Sequence, residues 1–143
     1  MRKMLADTLI EIATYSNEII FLTGDLGFGV FDDFKKQFPE KYINVGIAES
    51  ALVSVAAGLS SVGYTPVVYS IASFMTARPY EQIRFLVGYN EFPIIIIGAG
   101  GGLSYGMSGS SHLAVDDLGL MSLIPNLRVA APAGPLEMKT VLT

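Results

Sequence analysis

The chain has no cysteine and no tryptophan, a single histidine, and only 15% charged residues among its 143. Without cysteine there is no disulfide, no thiolate metal site, no iron–sulfur cluster and no cysteine nucleophile. His112 alone cannot build a zinc or iron site that needs two imidazoles, so the sequence offers no metal site of its own beyond carboxylates for magnesium. Basic residues are also scarce. Nine Lys plus Arg stand against thirteen Asp plus Glu, for a net charge of −4, with no basic stripe to follow a nucleic-acid backbone. The longest apolar run, Phe92 to Ile97, is far too short to span a bilayer. The opening MRKMLADTLIEIATYS mixes charged and polar residues at helical spacing, unlike the apolar block of a signal peptide. A cytoplasmic domain touching neither nucleic acid nor membrane is expected.

What the chain does have is apolar residues, 51% of the total, at a mean hydropathy of +0.50. The length suits one domain, residues 1–143, with one core. So little charge in so apolar a chain means elements buried on both sides, or a surface that a partner covers.

Apolar periodicity alternates along the chain. Leu5, Leu9, Ile12 and Ala13 predict an amphipathic first helix, and Glu18 to Thr23 reads as a buried strand ending at Gly24-Asp25. A short helix follows over Phe31 to Phe38, then a strand at Tyr42 to Val45 and a helix over Ala48 to Ser61, apolar nearly all round and so expected to be buried. Thr65 to Ile71 is a third strand, Pro79 to Tyr89 a helix, and Phe92 to Gly98 a fourth strand. A helix from Ala114 to Leu123 with Asp116 and Asp117 in its first turn, a strand at Leu127 to Ala131 and a helix from Pro135 complete the order. Strand–helix alternation implies an α/β fold: three layers, α/β/α, around a mostly parallel sheet. The last helix meets no stop signal before Thr143, so the chain is expected to be part of a longer one.

Four places could carry chemistry. Glu49 opens a helix with no other charge before Arg78. It is either a first-turn glutamate favoured by the helix dipole or a desolvated carboxylate whose pKa is raised until it shares a proton with a ligand. The glycines of Gly98 to Gly102 follow an apolar strand, where a backbone can approach a ligand, but they match neither the dinucleotide nor the P-loop pattern and equally suit a turn. His112, after Ser110 and Ser111, is either a loop or capping residue or a group that titrates near neutrality in a site. Phe74 is either core or a stacking platform.

Together these residues form a recognisable pattern. Asn44-Val45-Gly46-Ile47-Ala48-Glu49 with Val53-Ser54-Val55-Ala56-Ala57-Gly58-Leu59 resembles the glutamate motif in the pyrimidine-binding domain of the transketolase family of thiamine diphosphate enzymes. The resemblance continues through Arg2-Lys3, Gly24-Asp25-Leu26, Phe74 to Arg84, Gly106 to His112 and Ile124-Pro125-Asn126-Leu127, covering essentially the whole chain. It implies a fold of the thiamine diphosphate pyrimidine-binding type. It also implies that Glu49 bonds the aminopyrimidine nitrogen and thereby promotes loss of the thiazolium C2 proton, and that Phe74 stacks on the pyrimidine. Asp25 and Ile47 fall on cofactor-binding segments, and His112 falls on the histidine near the donor's reacting carbonyl. Arg2 falls near an arginine that binds a sugar phosphate.

The chain departs from the family pattern at Ser108, where transketolases place an aspartate that reads a donor hydroxyl, and at Ile71 and Ala77, where aromatic residues are usual. These changes point to a sugar-modifying transketolase rather than the ordinary pentose-phosphate enzyme. The resemblance further implies that magnesium and the diphosphate are held by a separate domain or subunit carrying Gly-Asp-Gly, for which this chain has only Gly24-Asp25-Leu26. The chain by itself is therefore expected to be inactive, and its assembly a homodimer or heterotetramer. Deoxyxylulose-phosphate synthases and 2-oxoacid dehydrogenase beta subunits share this domain. A non-catalytic assembly domain of the same fold is a further alternative.

Overall fold

In the computed structural model, which describes residues 1–143, strands β1 (Ile19–Thr23), β2 (Tyr42–Asn44), β3 (Thr65–Ile71) and β4 (Ile95–Ala99) form one sheet. Its order is β2-β1-β3-β4 and every pairing is parallel. Parallel neighbours need crossovers, and these run through α2 (Asp32–Gln37), α3 (Glu49–Ser61), α4 (Ala72–Ala77) and α5 (Tyr80–Gln82), while α1 (Arg2–Tyr15) precedes the first strand and α6 (Asp117–Ser122) and α7 (Pro135–Leu142) follow the last. The expected three-layer α/β/α fold with a parallel sheet is what forms.

Side chains of a strand alternate between faces, and here both faces are covered. Ile20, Leu22 and Val68 pack against Leu52, Val53 and Ala56 of α3, Met75 of α4 and Met121 of α6. Ile19, Phe21, Val67 and Tyr69 pack on the other side against Leu5, Leu9 and Ala13 of α1, Phe34 of α2 and Met138 of α7. Double coverage explains why β1 reads as an unbroken apolar run: all five of its residues are buried. Aromatic rings fill the second core, with Phe21 lying 4.5 Å from Phe31 and 5.5 Å from Phe34 between ring centres. No helix is long and apolar enough to cross a membrane.

Several expectations change. No strand forms over Leu127 to Ala131, and the sheet ends at β4. That run is short, its Val129 is 39% exposed, and Pro132 follows at once, so a fifth strand would bury little for the pairing it requires. β4 begins at Ile95 rather than Phe92, because Pro93 has no N–H to donate and the ladder starts with Ile95 opposite Val67. The helix expected over Ala114 to Leu123 shrinks to Asp117–Ser122 with Asp116 at its N-cap. Helix α3 buries only one side; Val55 is 41% exposed because a helix in an outer layer meets the sheet along a single stripe. Helix α4 was not anticipated, since six residues are too few to display a period.

After α5 the chain continues as a π-helix over Ile83–Tyr89. Gly88 there lies against the loop after α6: a Cβ on it would stand 2.7 Å from Ile124 and 2.8 Å from the Pro125 carbonyl. Asn126, at φ 64°, donates to the Gly88 carbonyl at 3.1 Å. The Ile-Pro-Asn run therefore braces the helix behind the sheet.

Candidate functional site

Parallel strands bring every strand-to-helix loop to one edge of the sheet, beyond their carboxyl ends. Helix α1 runs back against β1, so its first turn reaches the same edge. Arg2, the loops after β1 and β2, the start of α3, all of α4 and the loop after β4 therefore converge.

Glu49 is the first residue of α3, placed there by Gly46 at φ 79° and by a hydrogen bond from the Ala48 amide to the Gly46 carbonyl. Its side chain is 2% exposed. One carboxylate oxygen accepts from Ser70 Oγ at 3.0 Å and the other from Arg78 Nη1 at 2.8 Å. Burial pushes the Glu49 carboxyl up, but the hydrogen bonds from Arg78, its own backbone and Ser70, with the Arg78 charge, together outweigh it. The carboxyl is held below the ordinary glutamate value. This reverses the raised pKa that desolvation alone would give, and the reversal has a definite cause: folding delivers a cation that sequence distance had hidden.

Arg78 connects the site. It caps α4, its carbonyl accepts from Ser50 Oγ at 3.3 Å, and its guanidinium lies over Phe74 with Cζ 3.8 Å from the ring centre. Phe74 in turn meets His112 edge to face, at 4.9 Å and 66°. The His112 Nδ1 is 3.0 Å from Ser111 Oγ, and Ser73 of α4 donates to the Ser111 carbonyl at 3.1 Å, which ties this loop to α4. Tyr105 stands 6.4 Å from His112, and Arg2 donates to its hydroxyl. Gly100, at φ 76°, makes room for that tyrosine, because a Cβ there would collide with the Tyr105 ring. The glycine-rich loop is thus a seat for Tyr105, closed by paired hydrogen bonds between Gly102 and Ala114.

On the other flank, Asn44 at the end of β2 joins two loops. Its Oδ1 accepts from the Asp25 and Gly46 amides and its Nδ2 donates to Asp25 Oδ1 at 2.9 Å. Asp25 sits at φ 59° in consequence of that turn. Ile47 is 73% exposed, and Ser108 is exposed in the 3-10 turn Gly106–Ser108.

The structure thus joins Glu49, Phe74, His112 and Arg2 in one chain of contacts, with Asp25 anchored to the turn that leads to Glu49. Ser108 lies on the His112 loop outside that chain of contacts, and Ile47 stands open close to Glu49 in the sequence. Arg78, Ser70, Tyr105 and Asn44 were not singled out as site residues by sequence reasoning. For Arg78 a signal existed, since it is four residues beyond Phe74, the spacing at which side chains of one helix meet. A shallow groove between α1 and α2, lined in part by Lys3, Asp7, Val30 and Asp33, shares no residue with this site.

Fold and site define an α/β domain that presents a buried carboxylate and an aromatic face at the carboxyl edge of a parallel sheet. The transketolase pyrimidine-binding domain family matches residues 1–143. The chain belongs to that family. It is 35% identical over 143 residues to a putative transketolase C-terminal section of Methanocaldococcus jannaschii, covering 99% of this chain and 45% of that protein. It is 33% identical over 142 residues to one of the subunits of an apulose-4-phosphate transketolase from Phocaeicola vulgatus, covering 99% of this chain and 46% of the other. A solved split-gene transketolase, described as an inactive beta4 tetramer, superposes with a TM-score of 0.87 at 35% identity, over 99% of this chain and 45% of that one. The chain spans somewhat under half the length of these relatives.

Proposed function

We propose that this domain holds the aminopyrimidine of thiamine diphosphate in an enzyme that moves a two-carbon ketol unit between sugar phosphates. The observation that carries the reading is Glu49, a carboxylate 2% exposed at the sheet's carboxyl edge, one guanidinium away from the face of Phe74. The family depends on thiamine diphosphate, and the residues present fit its ring. A guanidinium and an aminopyrimidine are both flat conjugated groups that can stack on an aromatic face while one edge meets a carboxyl group. Arg78 already spans the Glu49 carboxylate and the Phe74 ring in that manner, so a flat ring that stacks on Phe74 and shares a proton with Glu49 matches both.

The cofactor, when bound, supplies the nucleophilic carbon that accepts the two-carbon unit. Glu49 holds or shares a proton at the pyrimidine nitrogen, and Phe74 stacks on the ring. Asp25 and Ile47 flank the cofactor from neighbouring loops. His112 exchanges a proton with, or donates a hydrogen bond to, the donor's carbonyl oxygen. Arg2 takes the sugar phosphate, and Ser108 meets a hydroxyl farther along the donor.

Magnesium and the diphosphate are assigned to a separate domain or subunit. Relatives named as one subunit of a transketolase and as a C-terminal section support that division. So does an apolar rim around the site, where Phe28, Ile47, Leu103 and Met107 are each more than 70% exposed. A relative solved as a beta4 tetramer supports assembly of more than one copy, and we place the complex, a homodimer or heterotetramer, in the cytoplasm.

The test is Glu49→Gln in the assembled protein, read as proton exchange at the cofactor C2. The amide cannot act as proton partner, so exchange falls by about a hundredfold or more. Exchange at the parent rate would refute the assignment.

A further inference from the structure

The two groups assigned to the cofactor ring are already engaged by one side chain. Arg78 bonds the Glu49 carboxylate at 2.8 Å and lies on the Phe74 ring at 3.8 Å, and both contacts use the same planar guanidinium. A ring that stacked on this face of Phe74 and bonded Glu49 would need the volume that the guanidinium fills. The backbone of Arg78 is held independently, by its place at the end of α4 and by Ser50 at the start of α3. Its side chain can therefore leave while α4 stays in place, and with 46% of that side chain exposed the way out leads directly to water.

We infer that Arg78 is a displaceable placeholder, whose guanidinium occupies the aminopyrimidine position and must swing out before the cofactor ring can seat. This rests on the reading of Glu49 and Phe74 given above. Two consequences follow from the chemistry. The protein competent to bind is only the fraction in which Arg78 has swung away, so the apparent dissociation constant is raised by the reciprocal of that fraction. Departure of Arg78 also withdraws a hydrogen bond and a positive charge from Glu49, leaving burial opposed only by Ser70 and the backbone. Its carboxyl then moves toward the protonated form that a pyrimidine nitrogen requires. Arg78 is a positioning residue in this scheme: it keeps the carboxylate and the ring aligned before the cofactor arrives and gives up both contacts when it does.

The experiment uses the full-length protein assembled with its diphosphate-binding partner. Binding of thiamine diphosphate with magnesium is measured by calorimetry for the parent, Arg78→Ala and Arg78→Gln. Without cofactor, both variants melt at a lower temperature than the parent, because a buried carboxylate has lost its partner. With cofactor, both bind about fivefold tighter or more, because no side chain has to be displaced. A merely structural arginine would shift both readouts in the unfavourable direction, so tighter binding by a less stable protein is the distinguishing result. If Arg78→Ala does not fold, Arg78→Gln, which keeps most of the side-chain volume, carries the test. Unchanged or weaker binding in the folded variants would overturn the inference. Phe74→Ala separates the two readings. If it weakens cofactor binding while the Arg78 variants fail to tighten it, only the placeholder falls; if it leaves binding at the parent level, the assignment of the ring site falls and the placeholder with it.

Discussion

Breaking the Glu49–Arg78 pair from each side, with Glu49→Gln, Arg78→Gln and the double variant, measures what this contact contributes to the fold. An exposed ion pair contributes about 0–1 kcal/mol, and losing one partner of a buried pair costs about 3–5 kcal/mol. This pair lies between those limits, because the glutamate side chain is 2% exposed and the arginine side chain 46%. Solvent around the guanidinium screens its half of the interaction, so the coupling energy is expected at about 1–2 kcal/mol. Arg78 also lies on Phe74, a contact of about 0.5–1 kcal/mol. That contribution is lost whether or not Glu49 is changed, so it drops out of the cycle and leaves only the pairwise energy.

The assay is urea unfolding of the four proteins at pH 7 and in acid. The Glu49 carboxyl is held below its ordinary value in the folded chain. Stability from a depressed carboxyl is fully present above the unfolded pKa and fades as pH falls through the folded one. The coupling should thus be complete at pH 7 and shrink in acid as Glu49 takes up its proton. A coupling below about 0.3 kcal/mol at pH 7, within the scatter of independent sites, would refute the reasoning. So would a coupling of equal size in acid, because the contact would then owe nothing to the carboxylate charge.

The remaining predictions concern the loop after β4. Ser108→Asp in the assembled enzyme should shift the ratio of specificity constants between two donors epimeric at the hydroxyl near this position by about tenfold, as a charged acceptor replaces a neutral one; an unchanged ratio would mean that Ser108 does not face the donor. Gly100→Ala should destabilise the protein by about 1–3 kcal/mol in thermal or urea unfolding, because alanine is strained at φ 76° and its Cβ would collide with the Tyr105 ring. A cost under about 0.5 kcal/mol would mean that Tyr105 is not seated on this loop.

Fold and site differ in how far the residues revealed them. β3 was legible to the residue, Thr65 to Ile71, because β-branched and aromatic residues dominate a short segment whose middle the sheet buries on both faces. The absent fifth strand shows the opposite case. Leu127 to Ala131 has strand composition, but pairing needs an edge to pair with, and what that edge gains depends on the burial that the rest of the fold provides. In the site, Glu49, Phe74 and His112 stood out by residue type and by the pattern around them. Arg78 did not, although the structure makes it the direct partner of two of those three groups: Glu49 by a hydrogen bond and Phe74 by stacking.

By itself the sequence determined the class of the molecule. Alternating apolar runs and helical periods dictate a parallel sheet covered on both faces, and the lack of cysteine and the single histidine leave its chemistry to carboxylate, hydroxyl, imidazole, cationic Lys and Arg, and backbone groups. Only the tertiary structure decided the charge state of the site. Glu49 and Arg78 are 29 residues apart in the chain, and it is β3 and α4, folding back over the start of α3, that bring them to 2.8 Å. Local pattern follows from backbone geometry, which neighbouring residues share. An ionisation equilibrium depends on whichever charges and hydrogen-bond donors the folded chain gathers around the group, so the lowered carboxyl of Glu49 could be read only once its neighbours were in place.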